Sequence, residues 1–450
     1  TQVAGRRQRQ MCIRDSDLGV QRHNAEPGDV LGHIKSSNVD GIYVLLDFDP
    51  YIQEPVNARY VKEIAMQFEG GRNKLVFISH KIDIPPGLSK RVARFELSLP
   101  DARALEQIIR DEAGKWQQES GKKVATDPDT LQRLMRNLSG LTFNDARRLI
   151  RNVIVDDGAI TGDDLPEVMQ AKYQLLNRDD VLSFEFETTR FSEVGGMRTL
   201  KRWLQQREKI FHRLIDQPGI DTPKGVLLLG VQGCGKSLAA KAVAGIWKVP
   251  LLRFDFGALY DKNNGESEKN LRESLNTAEV MSPCVMWIDE IEKGIASGND
   301  DGTSRRILGT LLTWLAEKNS NVFIVATANN IEALPPELIR KGRLDEIFFV
   351  DLPKQDIRKQ IFSIHMDRRE VNQSGIDLET LAAASEGFSG SEIEQAVVSA
   401  IYSSYGSDRP LTTESLLEEI KATRPLSVVM DAQIQKLKQW AESRTVSVDQ

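Results

Sequence analysis

The chain has 450 residues, more than one compact core organises, so two or three domains are expected. Its 40% hydrophobic and 28% charged residues are the mix of a globular protein, and its net charge of −6 argues against a function built on wrapping nucleic acid. Three cysteines, Cys12, Cys234 and Cys284, form no C-x-x-C pair, which excludes the common zinc and disulfide frameworks and fits a reducing compartment. No apolar run approaches the roughly 20 residues of a membrane helix, and no signal peptide is recognisable.

Residues 1–16 show neither helical nor strand period and join abruptly to Asp17. They read as a translated sequencing adapter, or else as a disordered basic arm. From there to residue 176 the chain reads as one α/β domain that echoes the C-terminal half. Tyr43-Val44-Leu45-Leu46-Asp47 echoes Val285-Met286-Trp287-Ile288-Asp289. Lys74 to Ile78, with Ile84-Pro85-Pro86-Gly87-Leu88, echoes Asn321 to Val325 with Leu334-Pro335-Pro336-Glu337-Leu338. Phe95 to Pro100 echoes Phe348 to Pro353, and Ser139 to Asp145 falls where Gly387 to Glu392 falls. The echoes keep one order along the chain, which points to duplication. Phe48 stands where Glu290 stands, and a phosphate loop at matching spacing would fall before residue 1, either lost in evolution or cut from the sequence; this half is read as unable to hydrolyse nucleotide.

Residues 177–190 lack periodicity and read as a linker. Helical spacing follows over Leu200–Leu214. From Gly225 short apolar runs alternate with helical patterns. Strands are expected at Val226–Leu229, Leu251–Phe254, Val285–Ile288, Val322–Ala326 and Ile347–Val350, and helices at Ser237–Trp247, Ser267–Val280 and Ile307–Leu315. Apolar strands alternating with helices predict a parallel sheet covered on both faces. After Pro353 only helices are expected, forming a lid over 356–425, with 426–450 as a tail.

Gly230-Val231-Gln232-Gly233-Cys234-Gly235-Lys236-Ser237 is a complete G-x-x-x-x-G-K-[ST] phosphate loop between a strand and a helix. Its glycines let backbone N–H groups turn toward phosphates, and the helix start adds its positive dipole end. Lys236 is expected to reach the β- and γ-phosphates of ATP, and Ser237 to ligate Mg²⁺. Leu238 completes the cofactor-binding set with Gly230, Gly233, Cys234 and Gly235. Cys234 at a helix N-terminus raises the prospect of redox sensitivity, though a small residue that simply fits explains it as well. Cys284 to Glu290 is an apolar strand ending in two carboxylates, with Asp289 expected near Mg²⁺ through water and Glu290 positioned to polarise the attacking water. Asn329 ends the next strand. Arg340 and Arg343 stand about one helical turn apart, and alone would be a solvated cluster as readily as arginine fingers.

Over Phe191 to Ser404 these residues resemble the AAA ATPases. Within that family the chain is similar to AAA proteins of algal plastids, cyanobacteria and other bacteria that carry a degenerate N-terminal half before one AAA module. The resemblance implies an AAA large domain over 191–355 and a degenerate AAA-like domain over 17–176. It implies Asn329 as a polar sensor, His365 and Gly195 near the base, and a ring, expected to be a hexamer, in which Arg340 and Arg343 reach a neighbour's ATP. Bacterial cytoplasm or plastid stroma is the expected location, with an unidentified protein client. One departure stands out: Lys262-Asn263-Asn264 occupies the place of the aromatic paddle of threading members. No H-e-x-x-H protease motif occurs either. The expected activity is therefore Mg-dependent ATP hydrolysis driving remodelling or regulation without threading; the alternative is a nucleotide-gated scaffold. Arginines 133, 136, 147, 148 and 151 read as a solvated helical face rather than a nucleic-acid site.

Overall fold

The computed structural model describes residues 26–450 except 38, 80–81, 86, 96–98, 177–180, 186–192, 213–218, 261–266, 297–302, 341, 408–409 and 450. The adapter-like segment 1–16 and the paddle position 262–264 lie outside the described residues. Contacts divide the chain after Ser98, inside the span 17–176 that reads as one domain in the sequence.

The first unit holds a parallel pair, β1 (Ile42–Leu46) and β2 (Lys74–Ile78), with Val44 opposite Val76. Helices Pro27–Ser36 and Pro55–Gln67 bury Leu31, Ile34, Val61 and Ile64 with Leu45 and Phe48. The turn after β2 repeats that of the C-terminal half. Leu88 N–H donates to Pro85 at 2.9 Å, Leu338 N–H donates to Pro335 at 3.0 Å, and both leucines are buried. Phe95, read as the echo of the buried Phe348, is 92% exposed.

The second unit begins with helices Ala102–Ser120, Pro128–Leu138, Phe143–Asp157 and Asp164–Leu176 around one apolar core, with a short parallel pair β3 (Ala125–Thr126) and β4 (Ala159–Ile160). The echo of the lid is geometric here. Gly140 and Gly387 both take positive φ, 85° and 79°; Leu141 and Phe388 are both buried. Thr142 Oγ1 then accepts the Asp145 N–H as Ser389 Oγ accepts that of Glu392. Both are Ser/Thr N-caps with an acid three residues on.

A seven-stranded sheet follows. Its strands are β5 (Leu182–Glu185), β6 (Gly225–Gly230), β7 (Leu251–Phe254), β8 (Cys284–Ile288), β9 (Val322–Ala328), β10 (Glu346–Val350) and β11 (Val446–Ser447), in the order β11-β10-β6-β9-β8-β7-β5. All neighbours run parallel except β5 with β7. Every residue of β6, β8 and β9 is buried because successive side chains enter opposite cores. Leu227, Leu229, Met286 and Ile324 join one; Val226, Leu228, Val285 and Phe323 join the other. In the latter, Trp247 stacks on Phe211 with ring centres 4.3 Å apart.

Two segments differ from the sequence reading. The expected linker contributes β5, whose Glu185 pairs with Lys241 of the phosphate-loop helix at 2.6 Å. The expected tail forms helix Asp431–Ala441 and then β11, so strands do not end at Pro353. Helices Gln355–Asp367, Leu378–Ala384, Gly390–Ser407 and Thr413–Ala422 close the lid around Phe362, Leu381, Ile393 and Leu416.

Lys172 ties the first helical bundle to the sheet domain. Fully buried, it donates to the Ser139 and Val280 carbonyls at 2.6 Å each. Burial pushes its pKa down from 10.5 to about 8. The folded chain therefore binds fewer protons than the unfolded chain between about pH 8 and 10.5, and this residue's contribution to stability rises with pH across that window. The unfolding free energy of wild type minus that of Lys172→Met should climb by about 2–3 kcal/mol from pH 8 to 10.5 in urea titrations. A flat difference contradicts the assignment.

Candidate nucleotide site

The site forms where β6, β8 and β9 end on the same edge of the sheet, as expected for ligands at the carboxyl ends of parallel strands. A cleft of about 340 Å³ is lined by the phosphate loop, the acids after β8, Thr327 and Asn329 at the end of β9, Gly195, and the lid's His365, Ser391 and Glu394.

The loop's shape depends on its glycines. Gly233 and Gly235 take φ of 79° and 84°, where a side chain is strained. A Cβ on Gly233 would stand 2.2 Å from Ser391 Oγ, and one on Gly230 would stand 2.0 Å from the Val350 carbonyl oxygen. The Ser391 N–H donates to the Gly233 carbonyl at 3.0 Å, so the lid is hydrogen-bonded directly to the loop.

Lys236 opens helix Lys236–Trp247 and is 7% exposed. Its ammonium donates to the carbonyls of Gly230 at 2.9 Å and Val231 at 2.8 Å. Burial holds its pKa below the usual lysine range, partly opposed by the charges of Glu292, Asp289 and Glu290. Ser237 Oγ donates to Asp289 Oδ1 at 3.3 Å, and Thr327 Oγ1 donates to the same oxygen at 2.6 Å. Thr327 also accepts the Glu290 N–H at 2.9 Å. That bond helps hold Glu290 at φ 46°, a conformation rare outside glycine. Asn329 Nδ2 donates to Glu290 Oε1 at 2.8 Å, and Lys293 pairs with Glu290 Oε2 at 2.5 Å.

At the other end lie Gly195, Ile361, Ile364 and His365. His365 Nδ1 is 3.5 Å from Glu394 Oε1, which Arg369 holds at 2.7 Å. Burial pushes the His365 pKa down. Leu238 and Cys234 line the cleft, whereas Gly230 supports it from β6. Burial pushes the Cys234 thiol up to about 12, the direction opposite to that of an activated thiol. Arg340 is exposed after helix Pro336–Ile339, and Arg343 bonds the Glu337 carbonyl; neither lines the cleft of its own chain. Of the other arginines weighed, Arg147 lies 3.6 Å from Glu112, and Arg136 bonds the His212 carbonyl at the end of helix Arg198–Phe211.

The sequence reading assigned no role to Thr327, Glu292 or Glu394. Thr327 stood two positions before Asn329 and Glu292 two positions past Glu290, but their roles, like that of Glu394, come from distances between elements that no spacing rule supplies.

Ser237 Oγ and the Asp289 carboxylate are hard oxygen donors of the kind Mg²⁺ takes. Among the described residues no cluster of three or more His, Cys, Asp or Glu could hold an ion alone. Mg²⁺ fits this pair because it is commonly bound by one or two protein oxygens together with phosphate and water.

A phosphate loop after β6, a carboxylate pair after β8 on the far side of β9, and a helical lid on a parallel-dominated sheet define a P-loop nucleoside triphosphatase. Residues 226–352 match the family of ATPases associated with various cellular activities (AAA), and 375–419 match the AAA+ lid domain. Residues 1–97 and 103–179 match the N-terminal and second domains of SpoVK-like AAA ATPases. The chain is 36% identical over 433 residues to the AAA domain-containing protein ycf46 of Pyropia yezoensis, covering 95% of this chain and 86% of that protein. To ycf46 of Guillardia theta it is 36% identical over 406 residues, 89% and 79% of the two chains. To the proteasome-activating nucleotidase of Aeropyrum pernix it is 34% identical over 245 residues, 52% and 60%. The chain belongs to the AAA ATPases, whose general activity is ATP binding and hydrolysis. Among the described residues no helix is long and apolar enough to cross a membrane.

Gly233→Ala should weaken ATP binding about tenfold or more in calorimetric titration, because a side chain there meets both strain and Ser391. Unchanged affinity contradicts the role given to the loop's shape.

Proposed function

We propose that the chain is a Mg-dependent ATPase that works in a ring, as a protein-remodelling or regulatory machine. The observation that carries this reading is the convergence of Lys236, Ser237, Asp289, Glu290 and Asn329 on one cleft. Lys236 exchanges its two carbonyl partners for the β- and γ-phosphates. Ser237 and, through water, Asp289 hold Mg²⁺, which when bound neutralises charge developing on the phosphates. Glu290 takes a proton from water as its oxygen bonds the γ-phosphorus and the bond to the β-phosphate oxygen breaks, leaving ADP and phosphate. Asn329 orients Glu290 through their 2.8 Å hydrogen bond. Gly195 and His365 border the base.

Arg340 and Arg343 serve a neighbouring subunit's ATP, a reading supported by their absence from the cleft of their own chain. A hexamer is the expected ring. The client is a protein of unidentified kind; Asn263 and Asn264 in the sequence favour remodelling without threading. The bacterial cytoplasm or the plastid stroma is the proposed location, in keeping with the ycf46 relatives of algae.

Lys236→Ala should abolish ATP binding. Glu290→Gln should bind ATP within about threefold of wild type but turn it over about 100-fold more slowly in a phosphate-release assay. Wild-type turnover no faster than that of Glu290→Gln would sink the proposal.

A further inference from the structure

Glu292 has no role in the mechanism above, and its surroundings are unusual for a carboxylate. It is 6% exposed, and among the described residues it forms no ion pair. Carboxylates are seldom buried unless paired, because leaving water costs them more than weak contacts return. Only one of its oxygens is occupied: Oε1 accepts the Asn329 N–H at 2.8 Å, while Oε2 is buried without a protein partner.

The occupied oxygen bears on the site. β9 ends at Ala328, so the Asn329 N–H lies just past the residues paired with β8 and β6, and a buried N–H needs an acceptor. Glu292 is that acceptor. The Asn329 side chain then donates to Glu290 Oε1. A chain of two hydrogen bonds thus runs from Glu292 through the backbone and amide of Asn329 to Glu290. The same carboxylate favours the charged form of Lys236 against burial.

We infer that Glu292 is a positioning residue for hydrolysis: it fixes the strand end that carries Asn329, and so the angle at which Glu290 meets its water. The inference rests on the hydrolytic reading of Glu290 and Asn329. Glu292 touches neither phosphate nor water in this role, so its effect on Glu290 passes through Asn329.

The dependence on Asn329 supplies the test. Glu292→Met removes the acceptor while keeping the side chain's length; the Asn329 N–H loses its partner, and the removal of a buried carboxylate offsets part of that cost. The expected result is a kcat about tenfold or more below wild type, with KM for ATP within about twofold and the variant still folding cooperatively. Glu292→Gln keeps a carbonyl acceptor and should restore kcat to within about threefold of wild type. Placed in an Asn329→Ala background, Glu292→Met should lower kcat by less than about twofold further, because the two act as a unit. Losses that multiply in the double variant, or a raised KM with kcat intact, overturn the inference. Full activity of Glu292→Met alongside an inactive Glu290→Gln overturns it alone. A Glu290→Gln protein as active as wild type overturns the hydrolytic reading beneath it.

Discussion

A single buried ammonium governs the site. Lys236 is 7% exposed, and its charge meets two backbone carbonyls at 2.8–2.9 Å within the field of three carboxylates. A cation so placed costs desolvation energy that neutral carbonyls only partly return. A polyphosphate offers far better partners, since charge-assisted hydrogen bonds are roughly twice as strong as neutral ones. The carbonyls are preorganised by β6, and β6 is fixed by a Gly230–Val350 approach too close for any side chain. The position of the charge is therefore set by the sheet rather than by a flexible loop.

From that constraint the rest follows by adjacency. β8 delivers Asp289 and Glu290 beside the loop, and β9 between β8 and β6 delivers Thr327 and Asn329. Thr327 holds Asp289 with its hydroxyl hydrogen and Glu290 with its oxygen, so one small side chain orients both acids. The lid joins through Ser391 and Gly233, a backbone bond that any movement of the loop must stretch or break.

Much of this was legible in the sequence because burial on both faces makes a parallel strand a continuous apolar run. Val226–Leu229 and Val322–Ala326 announced themselves in that way, and the phosphate loop was complete. β5 was hidden because Leu182-Ser183-Phe184-Glu185 is an edge strand that gains its identity from pairing with β7. β11 was hidden for the same reason: two residues beside β10 leave no periodicity. Position alone left Cys234 open between a lowered pKa and a small residue that fits; burial, which the sequence does not show, pushes its pKa up. The echo between the halves was readable where turns and caps recur, at Leu88 and Leu338 or Thr142 and Ser389. At Phe95 the echo of Phe348 does not extend to burial: Phe95 is exposed and Phe348 is buried.

The most direct measurement is a structure of Glu290→Gln with ATP and Mg²⁺. The account predicts that Lys236 Nζ leaves the Gly230 and Val231 carbonyls for the β- and γ-phosphates, with the ion between Ser237 and the Asp289 side. A triphosphate bound elsewhere, with Lys236 still on its two carbonyls, would contradict it.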